Sequence, residues 1–406
     1  MIHKSFTDLY VEYCKEQTDA PPIFHRFLSY LVVSSIVNKN ITIPFGFKSL
    51  HPNLYFLIAA PSSSHRKSWS QNIAVNMIRH VNDGAYKDFV IPDTSSRESF
   101  ISELASPERY PLGSGLIKID ELKGFMERMK TSKHFSGFIQ DLSTIYDGER
   151  IKRITGVDKV TTYTIDEPFL NMTCACSLDW LYKSIESSDI SGGFLARFIW
   201  VVCDENIKEP SALPKRPCPE KFKTLLNKLF RMSQFVGEVS LDEESFKYYE
   251  NWYKIFYSNH QGGLWDANYH RMSVTILKIS ALNALVRLER EMQEDLQSLN
   301  EIIKINTDDL KKAIIMLEDT TLNFRNINIG VNKFDTLTKK VLKYVLKNKE
   351  VTRRKVLGGV RGMSPKLLDE VLKSLGEVGA IEIKPSERGT GFIISPNGNG
   401  AEYLEG

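Results

Sequence analysis

Leu54-Tyr55-Phe56-Leu57-Ile58-Ala59-Ala60-Pro61-Ser62-Ser63-Ser64-His65-Arg66-Lys67-Ser68 is the stretch that decides how this chain is read. An uninterrupted apolar run of strand length enters a polar loop and leaves as a helix-like segment reaching about Arg79. Strand, tight loop and helix in that order make a phosphate-binding P-loop. The loop from Pro61 through Arg66, with the backbone N–H groups of the residues after the proline, and the following helix N-terminus would wrap an anion. Lys67 would reach the phosphates and Ser68 would reach Mg²⁺. The standard pattern has two glycines where Pro61 and Arg66 stand. On the loop alone, a polar surface loop after a buried strand is an equally good reading.

Two downstream segments tip the balance. Gly115-Leu116-Ile117-Lys118-Ile119-Asp120-Glu121 is an apolar run closed by two carboxylates. The first would hold Mg²⁺ through water and the second would orient an attacking water. Gly192-Gly193-Phe194-Leu195-Ala196-Arg197 places an arginine immediately before the buried run Phe198-Ile199-Trp200-Val201-Val202. A cation there can stabilise transition-state charge on the γ-phosphate of ATP bound to a neighbouring subunit. The bland alternatives are an acidic pair opening a helix and a structural salt-bridge partner. Lys67, Glu121 and Arg197 are therefore the catalytic candidates, and ATP and Mg²⁺ the expected cofactors.

His25-Arg26-Phe27, Pro52-Asn53-Leu54-Tyr55, Arg66-Lys67-Ser68, Asp120-Glu121, Tyr146-Asp147-Gly148 and Ser191-Gly192-Gly193-Phe194-Leu195-Ala196-Arg197-Phe198 follow one another over residues 20 to 325. In that order they resemble the signatures of a largely uncharacterised family of P-loop ATPases from bacteria, phages and mobile elements. Its members are helicase-like and often linked to primase modules. The resemblance implies an AAA+/RecA-like core, and an Arg-Lys-Ser loop ending that is normal for the family.

The 53 basic and 50 acidic residues leave a formal charge of +3, so nucleic-acid contact must be argued from local clusters. Five cysteines without C-x-x-C spacing exclude a disulfide framework or zinc site. With no apolar leader and no run long enough to span a bilayer, the expectation is a cytoplasmic protein without membrane contact.

The expected fold class is α/β. A helical N-terminal segment (1–50), containing a short strand pair over 41–47, packs on a P-loop core (51–205). A Pro-rich linker (206–219) leads to a helical lid (220–330), with helices over 246–257, 272–292 and 308–324. Within the core, Ser177 ends an apolar strand, where related ATPases sense the γ-phosphate; capping the helix that starts at Leu178 is the alternative. Asn171 reads as a half-buried strand residue. Arg271 is a candidate for the lid arginine that touches phosphate, or a solvent-facing helix residue.

Glu149 to Ile165 alternates apolar and basic residues about Gly156-Val157-Asp158-Lys159, predicting a hairpin with one cationic face. Helicase-type relatives put such a hairpin into a central pore. Arg150, Lys152, Arg153 and Lys159 would then grip the backbone of single-stranded DNA; an exposed hairpin kept soluble by its charges is the other reading. From residue 333 to 395, three helices and a strand, turn and strand give the order of a winged helix. Lys366, Lys373, Lys384 and Arg388 would face duplex DNA, supported by Arg353, Arg354 and Lys355. A tail (396–406) follows, read as disordered. Together these point to a homo-oligomeric, hexameric DNA motor with a possible primase partner. A helicase loader using ATP as a switch, and a DNA-binding regulator with a degenerate loop, remain the alternatives.

Overall fold

The computed structural model describes residues 4–62, 65–155, 161–184, 193–204, 207, 210–211, 213–260, 266–291, 302–325, 333–360, 363–385 and 392–397. At 133, 155, 182–184, 321–325 and 333–336 it describes the backbone alone. The chain forms two compact units, Met1–Ile327 and Asn328–Gly406.

In the first unit, α1 (Phe6–Lys15) is capped by Ser5, whose hydroxyl accepts the Asp8 N–H. α2 (Pro22–Val37) begins with proline at its first position, where a missing N–H costs nothing. It is apolar around most of its circumference and buries all but three of its residues, so it is a core helix and not a surface one. β1 (Ile41–Phe45) and β2 (Lys48–Leu50) pair antiparallel about Gly46-Phe47, so the second strand of the expected pair begins after residue 47 and not within 45–47. β3 (Tyr55–Ala60), buried at every position, leads through the loop to α3 (Lys67–His80).

The remaining core elements follow in order: β4 (Val90–Ile91), α4 (Arg97–Leu104), β5 (Ser114–Ile119), α5 (Leu122–Thr131), α6 (Phe138–Tyr146), β6 (Ile151–Thr155), β7 (Thr161–Ile165), β8 (Phe169–Ser177), α7 (Leu178–Ser184) and β9 (Phe198–Val202). β4, β5, β8, β3 and β9 form one sheet in that order, every pair parallel. The near-continuous apolar runs of β3, β8 and β9 are what a parallel sheet covered on both faces requires. β8 lies between the loop strand β3 and the acidic strand β5. All five carboxyl ends therefore share one edge of the sheet, which we call the carboxyl edge; the other is the amino edge.

Asn171 departs from its expected half-buried state. It is fully buried in β8, and its amide donates to Ser34 and Ser35 of α2, 2.9 Å each, while its carbonyl accepts the Leu54 N–H at 2.7 Å. A polar side chain in an apolar strand is tolerated because all its hydrogen-bonding capacity is used. It joins the core helix to the entry of the loop strand.

The segments expected as N-terminal region and lid share a sheet. β10 (Gly237–Leu241) pairs in parallel with β1, and β11 (Ile303–Ile305) pairs in parallel with β10. Helices Glu243–Asn259, Asp266–Glu291 and Thr307–Arg325 lie where helical periodicity predicts them. The linker region ends in the helix Pro219–Ser233. It is tied to the N-terminal helices through Ser211 N–H on Asp19 (3.0 Å) and Lys215 N–H on the Glu16 carbonyl (3.1 Å).

The second unit has helices Lys333–Asn348, Arg353–Gly359 and Pro365–Glu377 and strands β12 (Val351–Thr352), β13 (Ile381–Pro385) and β14 (Phe392–Pro396). β14 pairs antiparallel with both others. Leu337, Val341, Val345, Leu368, Val371 and Leu375 are among its buried core residues. Pro396, read as the start of the tail, is instead the last residue of β14, paired with Ile381.

Candidate functional site

The carboxyl edge carries the loop. β3 delivers Ala60 directly opposite Ser177 of β8, and Ile119 of β5 stands opposite Cys174. Pro61, Ser62, His65 to Ser68, Asp120, Glu121 and Ser177 therefore lie along one edge, where ligands bind open parallel sheets. Lys67 is the first residue of α3, and its half-buried ammonium donates to the carbonyls of Ala60 (3.0 Å) and Pro61 (2.8 Å). Burial holds it below the usual lysine value. The charge thus already lies against the loop backbone, with carbonyl dipoles as its hydrogen-bond acceptors among the described residues.

Arg66 adopts φ +47°, ψ +36°, the left-handed region that favours glycine. The glycine of the usual loop has been exchanged for an arginine that keeps the glycine conformation, at a cost on the order of 1 kcal/mol. Its guanidinium reaches Asp19 at 3.2 Å, outside the loop. Ser63 and Ser64 lie outside the described residues.

The acidic pair is exposed. Asp120 accepts from Lys118 Nζ at 2.7 Å, and Glu121 is the residue that caps α5 by position, without a side-chain hydrogen bond. Ser177 accepts the Trp180 N–H at 3.3 Å, so the capping role is the one its hydroxyl performs. Gln71, unremarked in the sequence, is fully buried on α3. It donates to Thr173 Oγ1 at 3.0 Å and approaches the Ile119 carbonyl at 3.5 Å, coupling the lysine-bearing helix to the acidic strand. A glutamine one turn after Lys67 on the helix face turned to the sheet was the available signal.

Arg197 lies on the amino edge, because it immediately precedes β9, which runs parallel to β3. It is nine-tenths buried, pairs with Asp147 and donates to the Gly193 carbonyl at 2.7 Å. Asp147 follows the last turn of α6, which Gly148 closes at φ +72°. The same carboxylate accepts from Arg271 at 3.2 Å. Arg271, a candidate for the lid arginine or for a solvent-facing helix residue, stands with Arg197 at the opposite edge from the loop.

Lys278 was also missed. It is 2% exposed, donates to the Asn53 carbonyl (3.1 Å) and Oδ1 (2.7 Å), and lies 4.2 Å above the Tyr146 ring. Burial lowers it to about 7, with Asp147 acting in the other direction. A lysine inside Ile276-Leu277-Lys278-Ile279, in an otherwise apolar helix run, was its trace in the sequence.

β6 and β7 pair antiparallel, but Lys152 and Arg153 do not share a face. Ile151 pairs with Ile165 and Arg153 with Tyr163 on the side turned inward, where Arg153 approaches Asp141 at 3.6 Å. Lys152 and the exposed Ile154 face outward, and Arg150 pairs with Asp166 at 2.7 Å. Adjacent residues in a strand point to opposite faces, which makes a common face for Lys152 and Arg153 impossible. Lys159 lies outside the described residues.

In the second unit, Lys366 and Lys373 are exposed on the outward face of Pro365–Glu377, beside Asp369, Glu370 and Glu377. Lys373 approaches Glu377 (3.8 Å), Lys384 Glu382 (3.0 Å) and Arg353 Asp369 (2.6 Å). Exposed pairs of this kind are weak and leave the cations available. Arg388 lies outside the described residues.

No helix among the described residues is long and apolar enough to cross a membrane, and no cluster of metal-ligating residues occurs among them. No family model and no curated protein matches the chain. Among solved structures, an SCCmec type IV Cch, described as an active helicase, aligns over 98% of this chain and 71% of its own, with 12% identity and a TM-score of 0.37. A RuvB mutant from Thermotoga maritima aligns over 87% of each chain, with 15% identity and a TM-score of 0.21.

Proposed function

We propose that the chain is an ATP-dependent DNA motor, a replicative helicase-like ATPase of a mobile element working as a hexameric homo-oligomer. The observation that carries this reading is the parallel sheet itself. It sets Lys67 at the head of α3 and the Asp120-Glu121 pair on one edge, and Arg197 on the other. An arginine at the amino edge is remote from its own chain's loop, so a role at phosphate needs a second copy.

Ser68 and Asp120 fit Mg²⁺ by donor type, both being oxygen ligands, with Lys118 giving up Asp120 as the ion binds. The bound ion would neutralise charge on the phosphate oxygens. Lys67 would bind the phosphates, Glu121 would orient and deprotonate water, and Arg197 would exchange Asp147 for a neighbour's phosphate. The hairpin, through Arg150, Lys152 and Lys159, would contact single-stranded DNA. The C-terminal unit, read as a winged helix, would contact duplex DNA through Lys366, Lys373, Lys384 and Arg388. A primase would be a natural partner.

Lys67→Ala should lose nucleotide affinity by about tenfold or more, whereas Glu121→Gln should retain binding and lose hydrolysis. Fluorescent-nucleotide binding and phosphate release, with and without single-stranded DNA, check both. Equal turnover in wild type and both variants would remove the enzyme reading. The Lys118–Asp120 pair favours one alternative, a helicase loader that holds ATP as a switch. Binding without DNA-stimulated turnover would select it.

A further inference from the structure

A cleft of about 960 Å³ opens on the amino edge of the sheet, and its walls include Lys39, Lys48, His51, Asp147, Arg271 and Lys278. Three segments singled out in the sequence meet there. Asn53 donates to the Tyr146 carbonyl at 3.0 Å and receives Lys278, Tyr146 lies beneath the lysine, and Gly193 holds Arg197 against Asp147.

The charges in this cleft do not balance. Asp147 is shared between Arg197 and Arg271. Among the described residues, the Lys278 ammonium bonds only oxygens of Asn53, and the half-buried Lys39 ammonium only the carbonyls of Leu112 and Glu167, 2.9 Å each. Neither lysine forms an ion pair with a carboxylate among the described residues. Arg197 Nε is buried and has no acceptor among them either. Glu149 and Glu167 also border the cleft, with their residues exposed to solvent. Burial disfavours the charged form of both amines, and an anion with several acceptor oxygens seated beside them and the guanidinium fork would restore it.

We propose that this cleft is a phosphoanion site, complete on one chain and separate from the loop at the carboxyl edge. A phosphate group supplies two negative charges and tetrahedrally placed oxygens. Arg271 can take two of them as a fork, while Lys278 and Lys48 approach from the floor and the rim. The cleft is of a size that accepts a nucleotide or a short length of nucleic-acid backbone. Both carry the same group.

The test uses the full chain with Lys67→Ala, which disables the loop, and titrates tripolyphosphate by calorimetry at low salt. One equivalent should bind. Adding Lys278→Met should weaken binding about tenfold or more, and adding Lys48→Glu, a surface change with no packing cost, severalfold. Thermal melting confirms that each variant is folded. Displacement by ATP identifies a nucleotide as the natural source, and displacement by oligothymidylate identifies a strand backbone. The proposal is overturned if the Lys67→Ala chain binds no tripolyphosphate, if folded Lys278→Met and Lys48→Glu bind it unchanged, or if neither competitor displaces it. Because turnover is not the readout, failure of the motor reading would leave this result standing, and the reverse.

Discussion

The two edges of the five-stranded sheet handle charge in opposite ways. At the carboxyl edge the cation Lys67 is drawn into its own loop while both carboxylates, Asp120 and Glu121, face solvent. At the amino edge Arg197, Arg271 and Lys278 crowd round one carboxylate, and Arg197 and Lys278 are nearly or fully buried. The first edge keeps its carboxylates in water, Asp120 against Lys118; the second holds the Arg197 guanidinium and the Lys278 amine largely out of water. Parallel strands make this separation unavoidable, since a residue before a strand and a residue after it are a full strand length apart. On the motor reading, that separation is what makes hydrolysis depend on assembly.

The sharpest way to break this contrast is Arg197→Ala. Loss of an arginine acting on transition-state charge should lower turnover about a thousandfold, and nucleotide affinity at the distant loop should change little. Arg197→Lys should recover only part, because an ammonium lacks the fork that meets Asp147 and Gly193 together. Steady-state hydrolysis and equilibrium binding separate the two effects. Normal turnover by Arg197→Ala, or by a wild-type protein that light scattering shows to be monomeric, would defeat the idea that the edges cooperate across subunits.

A smaller effect is expected between the edges, at Asn171. Asn171→Ala would strand the Leu54 N–H and take a donor from the Ser34 and Ser35 hydroxyls, Ser34 keeping its bond to the Pro52 carbonyl, at a cost of about 2–4 kcal/mol. Denaturant unfolding of the first unit measures it. The loss should fall on stability, with the residual folded fraction binding nucleotide normally. A loss of nucleotide affinity at unchanged stability would mean that Asn171 acts on the loop and is no mere tie between α2 and β3.

Much of the carboxyl edge was legible in the chain because its logic is local. A buried run, a polar turn and Lys67-Ser68 lie within one span, and a second run ends in Asp120-Glu121. Helix and strand periodicities likewise placed β1 with β2, the hairpin, and the three helices of the C-terminal unit. The amino edge was not legible, because Asn53, Asp147, Arg197 and the helix that carries both Arg271 and Lys278 are four separate segments of the chain, and nothing in the spacing between those segments reports their meeting. The partner of Arg271 was hidden for this reason: its position at the head of a long helix says nothing of Asp147, which it reaches at 3.2 Å. The hairpin error had a different origin. Counting cations overlooked that Lys152 and Arg153 are adjacent, and strand geometry forbids them a common face.

The smallest and most diagnostic change concerns Lys278. Its folded value of about 7 lies below the ordinary lysine value of 10.5, so between those limits the unfolded chain holds a proton that the folded chain does not. Folding stability of the wild type should therefore rise with pH through that window, by at most about 1.4 kcal/mol per pH unit from this group. Below it both states are protonated and the contribution is flat. Lys278→Met removes the titrating group and also leaves two Asn53 oxygens without their donor, so the absolute difference in stability mixes two effects of opposite sign. The pH dependence isolates one of them: thermal midpoints should shift in favour of the wild type as pH rises, relative to Lys278→Met. Parallel curves would show that the ammonium is not held out of water at a depressed value. Saturating tripolyphosphate supplies the counter-charge in the folded state, which raises the folded value toward the unfolded one. It should therefore flatten the pH-dependent difference, and a difference unaltered by phosphate would separate the buried lysine from the anion cleft.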